Sequence, residues 1–338
     1  MIADTTRPDA ARLAWQTLEP CHAMIYFAPE AREAFTELGL KGYWMGYFAS
    51  RGGALGAVSA PVIEATFFGF APAMVARAIP DAWGYADPAQ VLAARTRAAG
   101  AALERLWADR LEAPELREAA DLLRTAAGAC RVSGRPLFAG HVALPWPAEP
   151  HVAIWHGATL LREFRGDGHV AALVAEELDG CQSHVLQVAH GHVPREAVQS
   201  RRGWDDEAWE AAEADLRRRG LVGEDGALTT AGHDVRQRVE DRTDALALQP
   251  WRALGDRAFE RLLELTRPLS QAIVDAEGLP EPNPMGYVWQ QGGSGGLPPQ
   301  EGSGDSPRRK ARGESPRRAA DPTRPRAQAF QHRPDVAC

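Results

Sequence analysis

The stretch from Trp204 to Val235 constrains the fold more than any other part of this chain. Trp209, Ala212 and Leu216 recur at helical spacing and give a helix one apolar face. Arg217, Arg218 and Arg219 fall in its last turn, where cations complement the helix dipole. Gly220 follows at the position where a left-handed cap costs least. Leu221 and Val222 then begin a strand, Glu224-Asp225-Gly226 supplies a turn, and Leu228-Thr229 returns. Thr230 is expected to cap the helix that comes next. This order predicts a winged helix-turn-helix in the C-terminal half of a mainly α protein. A scaffold of that kind also serves dimerisation and ligand binding, so the fold alone assigns no function.

The same stretch weighs against the obvious function. A helix that reads DNA puts its N-terminal residues against base edges and phosphates. Here that end carries Asp205, Asp206, Glu207 and Glu210. Acids there stabilise the helix but repel a phosphate backbone. Leu161 to Pro280 contains eight more acidic than basic residues. Phosphate neutralisation dominates DNA affinity, so DNA as a partner is disfavoured unless a basic face is segregated. Arg201 and Arg202 are the candidate DNA-binding residues, with Arg236, Arg238 and Arg242 in support.

At 338 residues the chain is long enough for two cores, and its net charge of −7 argues against generic nucleic-acid binding. Cys21, Cys130, Cys181 and Cys338 form no CxxC clip, and the N-terminus lacks the pattern of a secretory signal. No apolar run is long enough to span a bilayer. The expectation is a reduced, cytoplasmic protein with no membrane partner.

Pattern breaks divide the chain into a helical N-terminal domain over 8–133, a Pro/Gly-rich junction over 134–150 and a winged-helix domain over 151–285. Asp87, Pro88 and Gln90 open a long helix as cap, first helical residue and capping-box partner. Pro61, Pro72 and Pro114 open others. A helix from Gln249 to Glu277 would pack on the first domain or on a second subunit, so a homodimer is one expectation. Residues 290–338 are rich in Gly, Pro and Arg, include two Ser-Pro-Arg-Arg units, and read as a disordered tail. Phe48 to Val58 echoes Phe164 to Val170, and Glu30 to Leu40 echoes Glu207 to Leu221. The echo is either a degenerate winged-helix repeat in the N-terminal half or a coincidence of short Gly-rich segments.

Four groups of residues offer chemistry. Arg165, Asp167 and His169 alternate with Gly166 and Gly168, which reads as a loop before a helix where an anion or a proton is handled. The alternative is that Asp167 caps that helix and Arg165 pairs with it. His22 and Tyr26 share a helical face behind Cys21, as acid-base candidates or as a buried, satisfied pair. Cys181, His184, His190 and His192 match no zinc spacing, so no metal is assigned. Trp44, Tyr47, Phe67 and Phe68, with Arg51 close by, line either a core or a pocket for a flat acid. No nucleotide-binding or hydrolase motif is present, and no cofactor is assigned.

Cys21 to Glu30, Gly42 to Arg51, Ile79 to Trp83, Arg165 to Val170 and Asp244 to Trp251 together resemble a family of actinobacterial helix-turn-helix proteins. The resemblance covers roughly residues 8–285. It implies a winged-helix fold similar to the MarR type, and it brings no ligand or reaction.

The leading expectation is a small-molecule-binding protein of the winged-helix regulator lineage, with a pocket between the halves. Trp44, Tyr47, Phe67 and Phe68 would line it, and Arg51 and Arg165 would anchor the ligand, sharing the pocket. The alternatives are an enzyme using His22, Tyr26, Asp167 and His169, and a DNA-binding transcriptional regulator.

Overall fold

Prolines set the starts of most helices. Pro8, Pro29, Pro72, Pro88, Pro114, Pro136 and Pro150 each stand at a first helical position, where the missing N–H costs nothing and φ is already helical. The computed structural model describes residues 4–191, 193–280 and 287–289, and these belong to one compact unit. The first helices are α1 (Pro8–Ala23), α2 (Pro29–Glu37), α3 (Gly42–Gly52), α4 (Ala60–Phe67) and α5 (Pro72–Ala76). There follow α6 (Pro88–Trp107), α7 (Pro114–Gly128), α8 (Pro136–Val142), α9 (Pro150–Ala175) and α10 (Gly180–Ala189). The rest are α11 (Arg195–Arg202), α12 (Asp206–Arg218), α13 (Thr230–Leu246), α14 (Gln249–Leu254) and α15 (Asp256–Asp275). Among the described residues the only β pairing is one antiparallel bridge, Val222 with Leu228.

Three apolar clusters hold these helices. The largest joins α1, α6, α7, the first half of α9, α14 and α15, and it buries Trp107, Trp155 and Trp251. A second gathers Trp44, Tyr47 and Phe48 of α3 with Phe67, Phe70, Met74 and Ile79. The third joins the end of α9 to α10, α12 and α13: Ala172 and Leu173 of α9 meet Val185, Trp209, Leu216, Val222 and Val235. The 26-residue α9 therefore contributes to the first core at one end and to the third at the other.

Local chemistry matches the expected pattern around α12. Asp205 caps it by accepting from the amide of Ala208, and Gly220 takes φ +70° after its end. The next cap is Thr229 rather than Thr230, since the Thr229 hydroxyl accepts from the amide of Gly232. Gly232 is needed there because a Cβ would sit 2.1 Å from the Leu221 carbonyl oxygen.

Three expectations are corrected. The segment from Arg165 to His169 is the interior of α9, not a loop. Asp167 caps a different helix, accepting from the amides of Leu137 and Phe138 at the start of α8, so the 134–150 stretch is tied to α9. Gly168 leaves room for Arg135, whose guanidinium crosses it to the carbonyl oxygens of Phe164 and Leu246; a Cβ would meet that group at 2.3 Å. The helix expected over 249–277 is two helices, broken at Gly255 with φ +79°. One echoed pair occupies unlike elements, since Phe48 lies near the end of short α3 and Phe164 in the middle of α9; the other is alike, because α2 and α12 each end before a left-handed glycine, Gly39 at φ +80° and Gly220 at φ +70°. The 290–338 tail lies outside the described residues.

Candidate functional site

One turn of α9 places Thr159, Arg162 and Glu163 at the centre of a buried polar network. Glu163 is fully buried and takes two hydrogen bonds from Arg51 of α3, Nε to Oε1 and NH2 to Oε2, both 2.7 Å. Arg162 adds a third at 3.1 Å. Burial opposes ionisation of Glu163, but Arg51 and then Arg162 overcome it and hold the carboxyl well below its usual range. Arg51 also lies over the ring of Phe67, 4.3 Å from its centroid, and reaches the Tyr47 hydroxyl at 3.4 Å.

A hydrogen-bonded chain runs beside this knot. Arg95, 1% exposed, donates to Tyr26 at 3.3 Å; Tyr26 lies 3.3 Å from His22 Nε2, and His22 Nδ1 lies 3.0 Å from the Thr159 hydroxyl. The roles follow in order: Tyr26 accepts from Arg95 and donates to His22, which donates to Thr159. Burial first, then neighbouring arginines, hold the His22 imidazole neutral, and burial pushes the Tyr26 phenol up to about 12. Both groups are engaged on every polar atom, which suits a structural strut between α1 and α9.

The structure thus brings together His22, Tyr26, Tyr47, Arg51 and Phe67. Asp167 and His169 lie elsewhere. His169 bonds Thr243 of α13 at 3.0 Å, and burial lowers its pKa to about 4. Arg165 pairs with Asp244, not Asp167, at 2.6 Å; Arg12 joins Asp244 and Glu240. Arg51 and Arg165 therefore belong to separate clusters and share no pocket. Trp44, Tyr47, Phe67 and Phe70 pack on one another, with ring centroids 5.6–6.3 Å apart. They form a core, and Phe68 packs against the third cluster instead. Arg202 turns inward over Phe70, 4.5 Å from its centroid, while Arg201 is exposed. His184 bonds the Gly69 carbonyl oxygen, and no metal-ligating cluster exists among the described residues.

A narrow cleft of about 20 Å³, room for roughly one water, opens on the other face of α9, between α1 and the turn from α13 into α14. Trp15, Leu18 and Trp251 wall it, and Glu19, Arg162 and Arg165 supply its polar groups. Burial raises the Glu19 pKa, against the opposing pull of Arg162. No sequence pattern singles out Glu19, Glu163 or Arg162. On a helix whose apolar residues run nearly all round, a charged residue gives no sign of whether it faces a partner or water.

The buried histidines make stability pH-dependent. Burial lowers His141, His156 and His184 to about 4. An unfolded histidine titrates near ~6.5. Each contribution is therefore complete above the unfolded value and lost as pH falls toward the folded one. Buried His22 and His169 act in the same sense, while Asp167, pushed up to about 6 by burial, and Glu19, also raised, act oppositely but are fewer. We expect urea unfolding at pH 5 to show a loss on the order of 2 kcal/mol from His141 alone relative to pH 7. A His141→Gln variant should flatten that slope; an unchanged slope would contradict the assignment.

The fold is mainly helical. The helix-turn-helix family profile matches residues 11–280, and the chain belongs to that family. Comparisons with curated proteins and with solved structures find no match. Among the described residues no helix is long and apolar enough to cross a membrane.

Proposed function

We propose that this is a ligand-sensing protein of the winged-helix regulator lineage, with the cleft as its sensing end and the helix-turn-helix as its output. The observation that carries this reading is the continuity of α9. Its middle lines the cleft through Ala158, Leu161, Arg162 and Arg165, and its last turns enter the core beneath α12. A ligand that shifts this rod shifts the packing of the output helix. The Val222–Leu228 bridge between α12 and α13 supports the winged form of the motif.

The output surface restrains DNA affinity. Glu207, Glu210, Ala211, Ala214 and Arg218 are exposed along α12. Its arginines are engaged nearby: Arg217 with Glu213, Arg218 with Asp215, and Arg219 with the carbonyl oxygens of Glu176 and Glu177. We expect weak binding to random duplex in gel-shift titrations at physiological salt. Tight binding with a steep salt slope would contradict this. The reading as a whole is tested by incubating the full chain with sheared DNA from its own genome and sequencing the retained fragments. A discrete enriched sequence, weakened by Arg201→Ala, is expected. No enrichment over random fragments would remove DNA as the output.

A further inference from the structure

Residues 68–71, between α4 and α5, join the second cluster to the third. Phe68 has φ +59° and ψ −53°, and the amide of Gly69 donates to the Phe67 carbonyl oxygen at 2.7 Å. That is the γ-turn of positive φ, rare and strained for a residue with a side chain. The groups that hold it come from α10 and from the turn between α11 and α12. His184 and Trp204 both donate to the Gly69 carbonyl oxygen, at 2.9 and 3.1 Å. The amide of Ala71 donates to the Arg202 carbonyl oxygen at 2.8 Å. Gly180 lets α10 come this close, since a Cβ there would lie 2.1 Å from the Phe68 carbonyl oxygen.

The same contact fixes Arg202 at the end of α11. Its guanidinium lies 4.5 Å from the Phe70 centroid, and the Tyr47 side chain accepts a hydrogen bond from it. The seat is a poor one for a cation, because burial and the like charges of Arg51 and Arg162 all disfavour it, against the pull of Tyr47. A strained turn and a cation held among cations both favour release. The bonds to Gly69, Ala71 and Tyr47 and the face of Phe70 oppose it.

Resting on the DNA-output reading above, with α11 and α12 as the motif, we propose that this contact is autoinhibitory. While residues 68–71 hold α10 and the α11–α12 turn, Arg202 is kept from the phosphate backbone of duplex DNA. Release turns it outward as a phosphate contact, which adds affinity without reading sequence.

The test measures binding of the full chain to random duplex across a salt series, with amide hydrogen exchange on the same samples. Gly180→Ala changes no charge and forces α10 off the Phe68 carbonyl oxygen. The Ala71 amide is expected to exchange faster while α1 and α7 keep their protection. The plot of log affinity against log salt should steepen by about one unit, a gain of about tenfold at roughly 50 mM salt. Adding Arg202→Gln to Gly180→Ala should remove the gain. Phe70→Leu is the second variant, for use even where Gly180→Ala melts α10 to α12. It keeps the core apolar, removes the ring from Arg202, and should steepen the slope likewise. An unchanged slope in both variants would overturn the inference, as would a gain that survives Arg202→Gln. Enrichment of genomic fragments by the unaltered chain, with no gain in the variants, would overturn this inference alone. A gain in the variants without such enrichment would overturn the sequence-specific output alone.

Discussion

Glu163→Leu is expected to cost about 3–5 kcal/mol of folding free energy, read as a lower urea midpoint at pH 7. The carboxylate is the shared partner of Arg51 and Arg162, and Arg51 is 6% exposed with little access to water. Removing the anion leaves two guanidinium groups facing one another in the interior. Because Glu163 is held well below its ordinary range of about 4.5, its contribution is present above that value and lost only as pH falls through the lower folded pKa. The knot is therefore intact between pH 5 and 7, where the histidines act, and the two effects separate on one pH series. A loss under about 1 kcal/mol would show that α3 and α9 are joined by packing alone.

Trp209→Ala should produce the second large effect, about 3–5 kcal/mol, confined to the helix-turn-helix. The indole is 2% exposed and sits in the third core with Leu173, Leu216 and Val222. Its Arg195 neighbour lies 5.3 Å from the ring and ties α11 to α12. Native-state hydrogen exchange should show α10 to α12 opening at lower free energy, while α1, α7 and α15, held by the first core, keep their protection. Genomic fragment enrichment should vanish with it. Uniform loss across all helices would mean that the three clusters unfold as one.

Local rules were readable and long-range pairings were not. The cap at Asp87 with Gln90, the proline starts, the apolar face of α12 and the left-handed Gly220 all depend on neighbours a few residues away. The turn at 223–226 closed as expected, with the cap one residue earlier, because Thr229 and Thr230 are chemically equivalent until the backbone decides. Gly166 and Gly168 misled for a physical reason. Glycine lowers helix propensity, yet here Gly168 is kept because Arg135 crosses the helix at that point. Asp167 is a cap, as its residue type suggested, but for a helix that begins 31 residues earlier. The site was half legible. His22, Tyr26, Tyr47 and Arg51 converge, but their partners Glu163, Arg162 and Thr159 are fixed only by the rotation of α9. The Glu19 cleft depends on helices far apart in the chain, α1 and α14, and left no periodic signal.

The central claim is that α9 couples the cleft to the helix-turn-helix. Ala158 is 1% exposed and lines the cleft from α9, remote in sequence from Ala172 and Leu173 in the output core. Ala158→Leu adds bulk to the cleft and presses α9 from that side. Amide hydrogen exchange, referenced to α2, measures whether the push is transmitted. The account predicts altered protection along α9 and across α10 to α12. Changes limited to α1, the first half of α9 and α14, with α10 to α12 exchanging as in the unaltered protein, would contradict it.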